Sequence, residues 1–256
     1  MGRVRLFYEK RGGACFVPHL ALATVFTRAA GRAGIKLRLT QGFSPHARMS
    51  FGPELPAGIV ALCEPVDIWL EEEGENGISP FLWNGQMPEG FRVVACRALA
   101  EDAPSLGKDC RAAHCLIWPN GRVAGKTSHV GGLLSHLRAH YGEDVLSASL
   151  EESDGDAGAK ISLVLANPAG NGLGGWVRAL VASKIVAGWQ DLCIVRMGLG
   201  RWNGIQMEPL ALGGMGRPDC QGFSSEEGIA CLQGEKFQGE KIQTEKFQRE
   251  EFRTEK

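Results

Sequence analysis

Val4-Arg5-Leu6-Phe7-Tyr8, followed by Gly12-Gly13, opens the chain as a strand and a turn: β-formers crowd into five positions and the glycines let the backbone reverse. After Pro18 the apolar residues Leu22, Val25, Phe26, Ala29, Ala30 and Ala33 recur at helical spacing until Gly34. Proline at the start and glycine past the end punctuate a helix in that order. Residues 36–40 read as a second strand and 41–58 as a Pro- and Gly-rich connection. Residues 65–71 read as a third strand, in which Val66, Ile68 and Leu70 alternate with other side chains. A short helix at 78–83 and a strand at 91–98 complete the order β-α-β-β-α-β.

The same order returns further on. Residues 113–118 form a strand, and Val130, Leu133, Leu134, Leu137 and Tyr141 trace one face of a helix. Strands at 145–150 and 160–166 flank a Gly- and Asp-rich turn at 153–158. Leu173, Trp176, Val177, Leu180, Val181 and Ile185 then mark a helix, and 192–197 a last strand. The expected fold class is α+β: two tandem ferredoxin-like units, residues 1–100 and 110–200, joined by a polar linker around 100–110. Periodicity then fades. Residues 234–256 advance in five-residue steps such as Gly-Glu-Lys-Phe-Gln, a period that suits neither helix nor strand, so a disordered low-complexity tail is expected over 213–256.

With 44% hydrophobic and 22% charged residues, the 256-residue chain has enough apolar material to fold without a metal or disulfide staple. The first ten residues alternate charge with apolar groups, unlike a signal peptide, and no run reaches the roughly 20 apolar residues that cross a bilayer. A cytoplasmic protein with no membrane contact is expected. The eight cysteines include no Cys-x2-Cys pair, which speaks against a zinc ribbon and against an iron–sulfur cluster of the radical-SAM type. Reduced structural thiols, no metal and no cofactor are the corresponding expectations.

Charge is polarised along the first unit. Residues 1–50 hold nine Arg or Lys against the single acid Glu9, whereas residues 51–100 hold Arg92 and Arg97 against eight acids. A basic surface of this kind attracts phosphate, unless the two halves pair their charges on neighbouring elements.

Two runs carry a family resemblance: Phe16-Val17-Pro18-His19-Leu20 and Gln41-Gly42-Phe43-Ser44-Pro45-His46-Ala47-Arg48-Met49-Ser50-Phe51. Together with Arg28, Arg32, Ala33-Gly34, Leu55-Pro56-Ala57-Gly58, Glu64 and Asp67, they make the first hundred residues similar to the radical-SAM-associated domain family of unknown function. Members of that family commonly stand beside, or fused to, a cobalamin-binding radical-SAM protein. The resemblance therefore implies a radical-SAM partner. Where that family reads Ser-His-Leu-Asp this chain has Pro18-His19-Leu20-Ala21, which loses an acid and a hydroxyl; if that acid serves to orient the histidine, this chain lacks the function. Where it reads Pro-His-Pro-Lys this chain has Pro45-His46-Ala47-Arg48.

His19 and His46 are the candidate catalytic residues. His19 reads as lying in the first turn of a helix, where the dipole favours a neutral imidazole. His46 lies in a loop with Arg48 beside it and Lys36 and Arg38 on the strand leading in. A histidine among cations suits binding or cleavage of a phosphodiester. Arg28, Arg32, Lys36, Arg38, His46 and Arg48 are the candidate RNA- or anion-binding set, with Phe43 and Phe51 as stacking candidates. His129, His136 and His140 share one helix flank, and surface histidines are the simpler reading than a metal site. Gly172-Leu173-Gly174-Gly175 lacks a Walker lysine and reads as a tight turn. The expected function is an accessory or binding module acting with a radical-SAM protein and contacting RNA. The alternatives are a metal-independent RNA-cleaving or RNA-modifying enzyme using a histidine, resembling the endoribonucleases that process CRISPR repeats, and a protein interaction scaffold.

Overall fold

The computed structural model describes residues 2–71, 79–120, 130–151 and 159–210. Strand β1 (Arg3–Lys10) runs through the centre of the first half, and helix α1 (Leu22–Arg32) packs across it. The stripe expected from the sequence is the buried one: Leu22, Phe26, Ala29 and Ala30 point inward while Arg28 and Arg32 are exposed. Burying Leu22 and Phe26 stabilises the helix by roughly 1.5–3 kcal/mol each. Phe26 is an anchor, with its ring 5.1 Å from Tyr8, 5.9 Å from Phe51 and 6.0 Å from Trp83. Gly34 takes φ +70° past the helix end, and the Ile35 amide donates to the Ala30 carbonyl at 2.9 Å, closing the last turn.

Strand β2 (Met49–Phe51) pairs with the ten-residue β3 (Val60–Trp69); helix α2 (Pro80–Asn84) and strand β4 (Phe91–Leu99) follow. Beyond them come α3 (Leu106–Asp109), β5 (Ala112–Pro119), α4 (Val130–Tyr141), β6 (Val145–Glu151), β7 (Lys160–Ala166), α5 (Leu173–Ala182), β8 (Leu192–Trp202) and β9 (Met207–Pro209). The chain is thus a mixed α+β protein. Its nine-stranded sheet runs β4-β1-β3-β8-β5-β7-β6, with β2 added on β3 and β9 on β8. The two halves meet where β3 and β8 run parallel, Val60 opposite Val195 and Ala61 opposite Arg196.

The core continues across that junction. Leu55, Ile59 and Ala61 from the first half pack among Leu133, Leu137, Leu173, Trp176, Val177 and Leu180 of α4 and α5. A second cluster joins Cys15, Val60 and Leu62 to Trp118, Cys193, Val195 and Met197. A bulge marks β3 as it approaches the junction: two steps along β1, Tyr8 to Lys10, face three along β3, Glu64 to Ala61. The extra residue resets the inward and outward alternation beyond Glu64.

Several sequence expectations shift. Residues 36–40 make isolated bridges, Leu37 with Leu70 and Leu39 with Ala47, instead of a regular strand; the paired strand is β2. The short helix begins at Pro80, whose fixed φ suits a first helical position. The segment expected as a polar linker holds α3, in which Leu106 and Asp109 are buried. The last strand extends to Trp202, because β5 and then β9 continue to supply partners. The turn at 153–158, the tail at 213–256 and His129 lie outside the described residues. Among the described residues no helix is long and apolar enough to cross a membrane.

Candidate functional site: a basic ribbon backed by buried ion pairs

Residues 36–51 form a two-legged ribbon laid along the end of β3. The Arg38 amide donates to the Trp69 carbonyl at 2.8 Å, the Arg48 amide to the Arg38 carbonyl at 2.7 Å, and the Thr40 amide to the His46 carbonyl at 2.8 Å. Lys36 and Arg38 therefore stand on one leg and Arg48 on the other. The Arg48 guanidinium lies over the Trp69 ring, 4.4 Å from its centroid, with Arg3 also within 5.3 Å of that ring. At the tip Phe43 has its full surface in water. An aromatic side chain of that size normally packs, so its position on a pair of basic legs is the notable feature of this surface.

His46 caps the tip. Its Nδ1 lies 3.1 Å from Thr40 Oγ1 and 3.3 Å from the Ser44 carbonyl, while its amide donates to Thr40 Oγ1 at 3.2 Å. One ring nitrogen is thus committed to the turn. On α1, Arg28 and Arg32 are exposed, and Arg32 donates to the Gln86 carbonyl. Both belong to the helix and not to the ribbon, so the six expected binding residues occupy two neighbouring elements.

His19 lies elsewhere, in a three-residue turn, His19–Ala21, that precedes α1. Its ring meets Phe51 edge-on at 5.7 Å. Burial lowers its pKa; the charges of Glu54 and Glu64 oppose that shift and those of Arg196 and Lys10 assist it. The imidazole is held toward its neutral form, and burial is the largest cause. Glu54, on the loop before β3, is the acid that acts most on it, in a chain that has Ala21 where the resembling family carries its acid.

Sequence reasoning missed the buried charges behind these surfaces. Arg196 Nε and Nη2 donate to the two oxygens of Glu64 at 2.6 and 2.5 Å, and its remaining donors reach the carbonyls of Glu54 and Pro53 at 3.1 and 2.9 Å. Both side chains are buried, and the pair joins β8 to β3. Arg5 makes a second cluster: Nε and Nη2 reach Asp67 at 2.7 and 3.1 Å, and Nη1 reaches Asp109 at 2.7 Å. Arg3 also bonds Asp67, and Arg201 also bonds Asp109. Burial alone would lower the pKa of Arg5, but the bonds to Asp67 and Asp109 outweigh it and the net direction is upward. The available signal was a charge set inside each apolar run, Leu62-Cys63-Glu64-Pro65-Val66 and Ile194-Val195-Arg196-Met197.

The remaining candidates stay apart. Gly172 caps the start of α5, and Gly174 and Gly175 lie in its first turn. Burial pushes the thiols of Cys63, Cys96, Cys110 and Cys115 up to about 12, which leaves them protonated and poorly nucleophilic. Among the described residues no group of three or more His, Cys, Asp or Glu could hold a metal ion.

Comparison with known proteins places the chain only broadly. A crystal structure of a "putative glycine cleavage system transcriptional repressor" is 9% identical, covers 76% of this chain and 98% of that chain, and superposes with a TM-score of 0.22. No curated protein matches the chain. A family model does match it, over residues 3–147, from β1 through the ribbon and on past Asp109 into β6. The chain belongs to the family described as uncharacterized protein conserved in bacteria (DUF2344).

Proposed function

We propose that this chain is an accessory binding module that grips RNA along the 36–51 ribbon and the exposed side of α1, on behalf of a radical-SAM partner. The observation that carries the reading is Phe43, fully exposed between legs bearing Lys36, Arg38 and Arg48. Cations attract the phosphate chain and an exposed ring stacks a base, the combination that single-stranded RNA sites use. The tying of His46 into its own turn favours a gripping role over a cleaving one. The partner follows from the resemblance of residues 16–67 to the radical-SAM-associated family, and a radical-SAM reading frame beside the gene is its expected counterpart. Each half is further read as a ferredoxin-like unit. The orders β4-β1-β3-β2 and β8-β5-β7-β6 support that reading, with the basic ribbon as an elaboration of the first unit.

The test is fluorescence anisotropy with a labelled single-stranded RNA of about 20 nucleotides, between about 50 and 200 mM salt. Wild-type affinity falls steeply as salt rises. Arg28→Glu with Arg32→Glu abolishes binding, whereas His46→Ala leaves binding intact. Phe43→Ala weakens binding by about 1–3 kcal/mol for a lost stack without lowering Tm, since the ring buries nothing. Absence of salt-dependent binding by the wild-type protein overturns the proposal. RNA cleavage that His46→Ala removes would establish the enzyme instead.

A further inference from the structure

The Arg5 cluster borders a cleft of about 280 Å³, close to the lower end of ligand-sized pockets at roughly 300 Å³. Its walls come from both halves of the chain: Arg97 and Leu99 on β4, Pro104 before α3, and Arg201, Glu208 and Leu210 on and beside the β8–β9 hairpin. The hairpin is held in place by its own turn, where Asn203 Oδ1 accepts from the amides of Ile205 and Gln206 at 2.9 Å each.

Cations exceed anions around this cleft. Asp67 is shared by Arg3 and Arg5, and Asp109 by Arg5 and Arg201, so both aspartates are occupied by guanidiniums. Glu208 accepts from Asn203 Nδ2 at 2.9 Å. Arg97 is the cross-strand neighbour of Arg5 in the β1–β4 ladder, a like-charged pair that a sheet ordinarily avoids. Both line the cleft, and among the described residues Arg97 has no carboxylate partner. Three guanidiniums, Arg5, Arg97 and Arg201, thus line the cleft with two carboxylates, Asp109 and Glu208, and the surplus charge sits beside apolar wall contributed by Leu99, Pro104 and Leu210.

We propose that this cleft binds a small organic anion, its carboxylate or phosphate held by Arg97 and Arg201 and its apolar body laid against Leu99, Pro104 and Leu210. The fork of a guanidinium suits either headgroup, since both present two oxygens in a plane. Arg5 acts as a positioning residue. Clamped by Asp67, Asp109 and the Pro104 carbonyl, it fixes Asp109, which in turn holds one nitrogen of Arg201 and leaves the rest of that guanidinium facing the cleft. This site is independent of the RNA ribbon.

Calorimetric titration of the full chain tests the proposal, with benzoate and phenyl phosphate as anionic probes, benzyl alcohol as the uncharged probe, and constant ionic strength. At least one anion saturates the wild-type protein and the alcohol does not; the better anion identifies the headgroup. Arg97→Gln weakens the bound anion about tenfold or more while retaining the wild-type Tm, because Arg97 is exposed. Arg201→Lys, which keeps the charge and loses the fork, also weakens it, and Arg28→Glu with Arg32→Glu does not. Failure of both anions to bind, equal binding of benzyl alcohol, or wild-type affinity in Arg97→Gln overturns the proposal. So does displacement of the probe by short RNA together with loss of RNA affinity in Arg97→Gln, since the cleft would then belong to the RNA path.

Discussion

His19 is the titrating residue whose surroundings make the clearest demand. Burial lowers its folded pKa below the ordinary 6.5, while the unfolded chain titrates at that ordinary value. Between those two values the unfolded state binds more protons, so stability is fully present above about 6.5 and is lost as pH falls through the window beneath it. Urea unfolding at a series of pH values checks this, with His19→Gln as the comparison. The wild-type midpoint drops on acidification, and the variant's drops less. Identical slopes, or an imidazole titrating above 6.5 by NMR, would contradict the assignment. The buried thiols show the same physics with the opposite outcome for reactivity: desolvation keeps Cys63, Cys110 and Cys115 protonated, as inert core residues.

Among the elements, β9 is the one held by the narrowest margin. It crosses β8 so closely that a Cβ at Gly200 would lie 2.1 Å from the Glu208 carbonyl oxygen and 3.0 Å from Pro209 Cα. Those are backbone atoms, which cannot rotate away as a side-chain tip does. Gly200→Ala therefore pushes β9 off the sheet edge, and the cost falls in the range of about 1–3 kcal/mol typical of overpacking. Hydrogen exchange at Leu210 reads the effect directly, because its amide donates to the Leu199 carbonyl at 2.9 Å. Protection there disappears in the variant, while the β1–β3 amides stay protected. Retained protection and unchanged Tm would show that the hairpin tolerates the added methyl. Since Glu208, Pro209 and Leu210 line the anion cleft, the same variant weakens the anionic probes.

At the scale of the whole molecule, the two halves are joined by a short parallel pairing, by apolar packing, and by the buried Glu64–Arg196 pair. Removing one partner strands a charge in the interior, which costs about 3–5 kcal/mol, whereas replacing both by apolar groups of similar volume costs far less. Glu64→Leu, Arg196→Met and the double variant that combines them form the comparison, read as denaturant midpoints. Each single change destabilises strongly and the double change recovers most of the loss. Additive effects would mean that the two residues act independently. Because Arg196 also holds the Pro53 and Glu54 carbonyls, the single change at Arg196 loosens the loop that leads from the ribbon to β3.

Local order was legible in the sequence wherever one side chain sees one environment. The α1 stripe, the end of that helix at Gly34 and the alternation of β7 follow from periodicity, because burial on one face imposes the period of the element itself. The basic character of residues 28–48 was legible for the same reason, since charge counts need no partner to be named. The pairings were not legible. Arg5 lies 104 positions from Asp109, and Glu64 lies 132 from Arg196, so neither pair leaves a local pattern. A charge inside an apolar run announces that a partner exists, and only the folding of two distant strands onto one sheet decides which one it is. The bulge in β3, the parallel join to β8 and the cleft beneath β9 belong to that second kind of information, because each depends on register between strands remote in the chain.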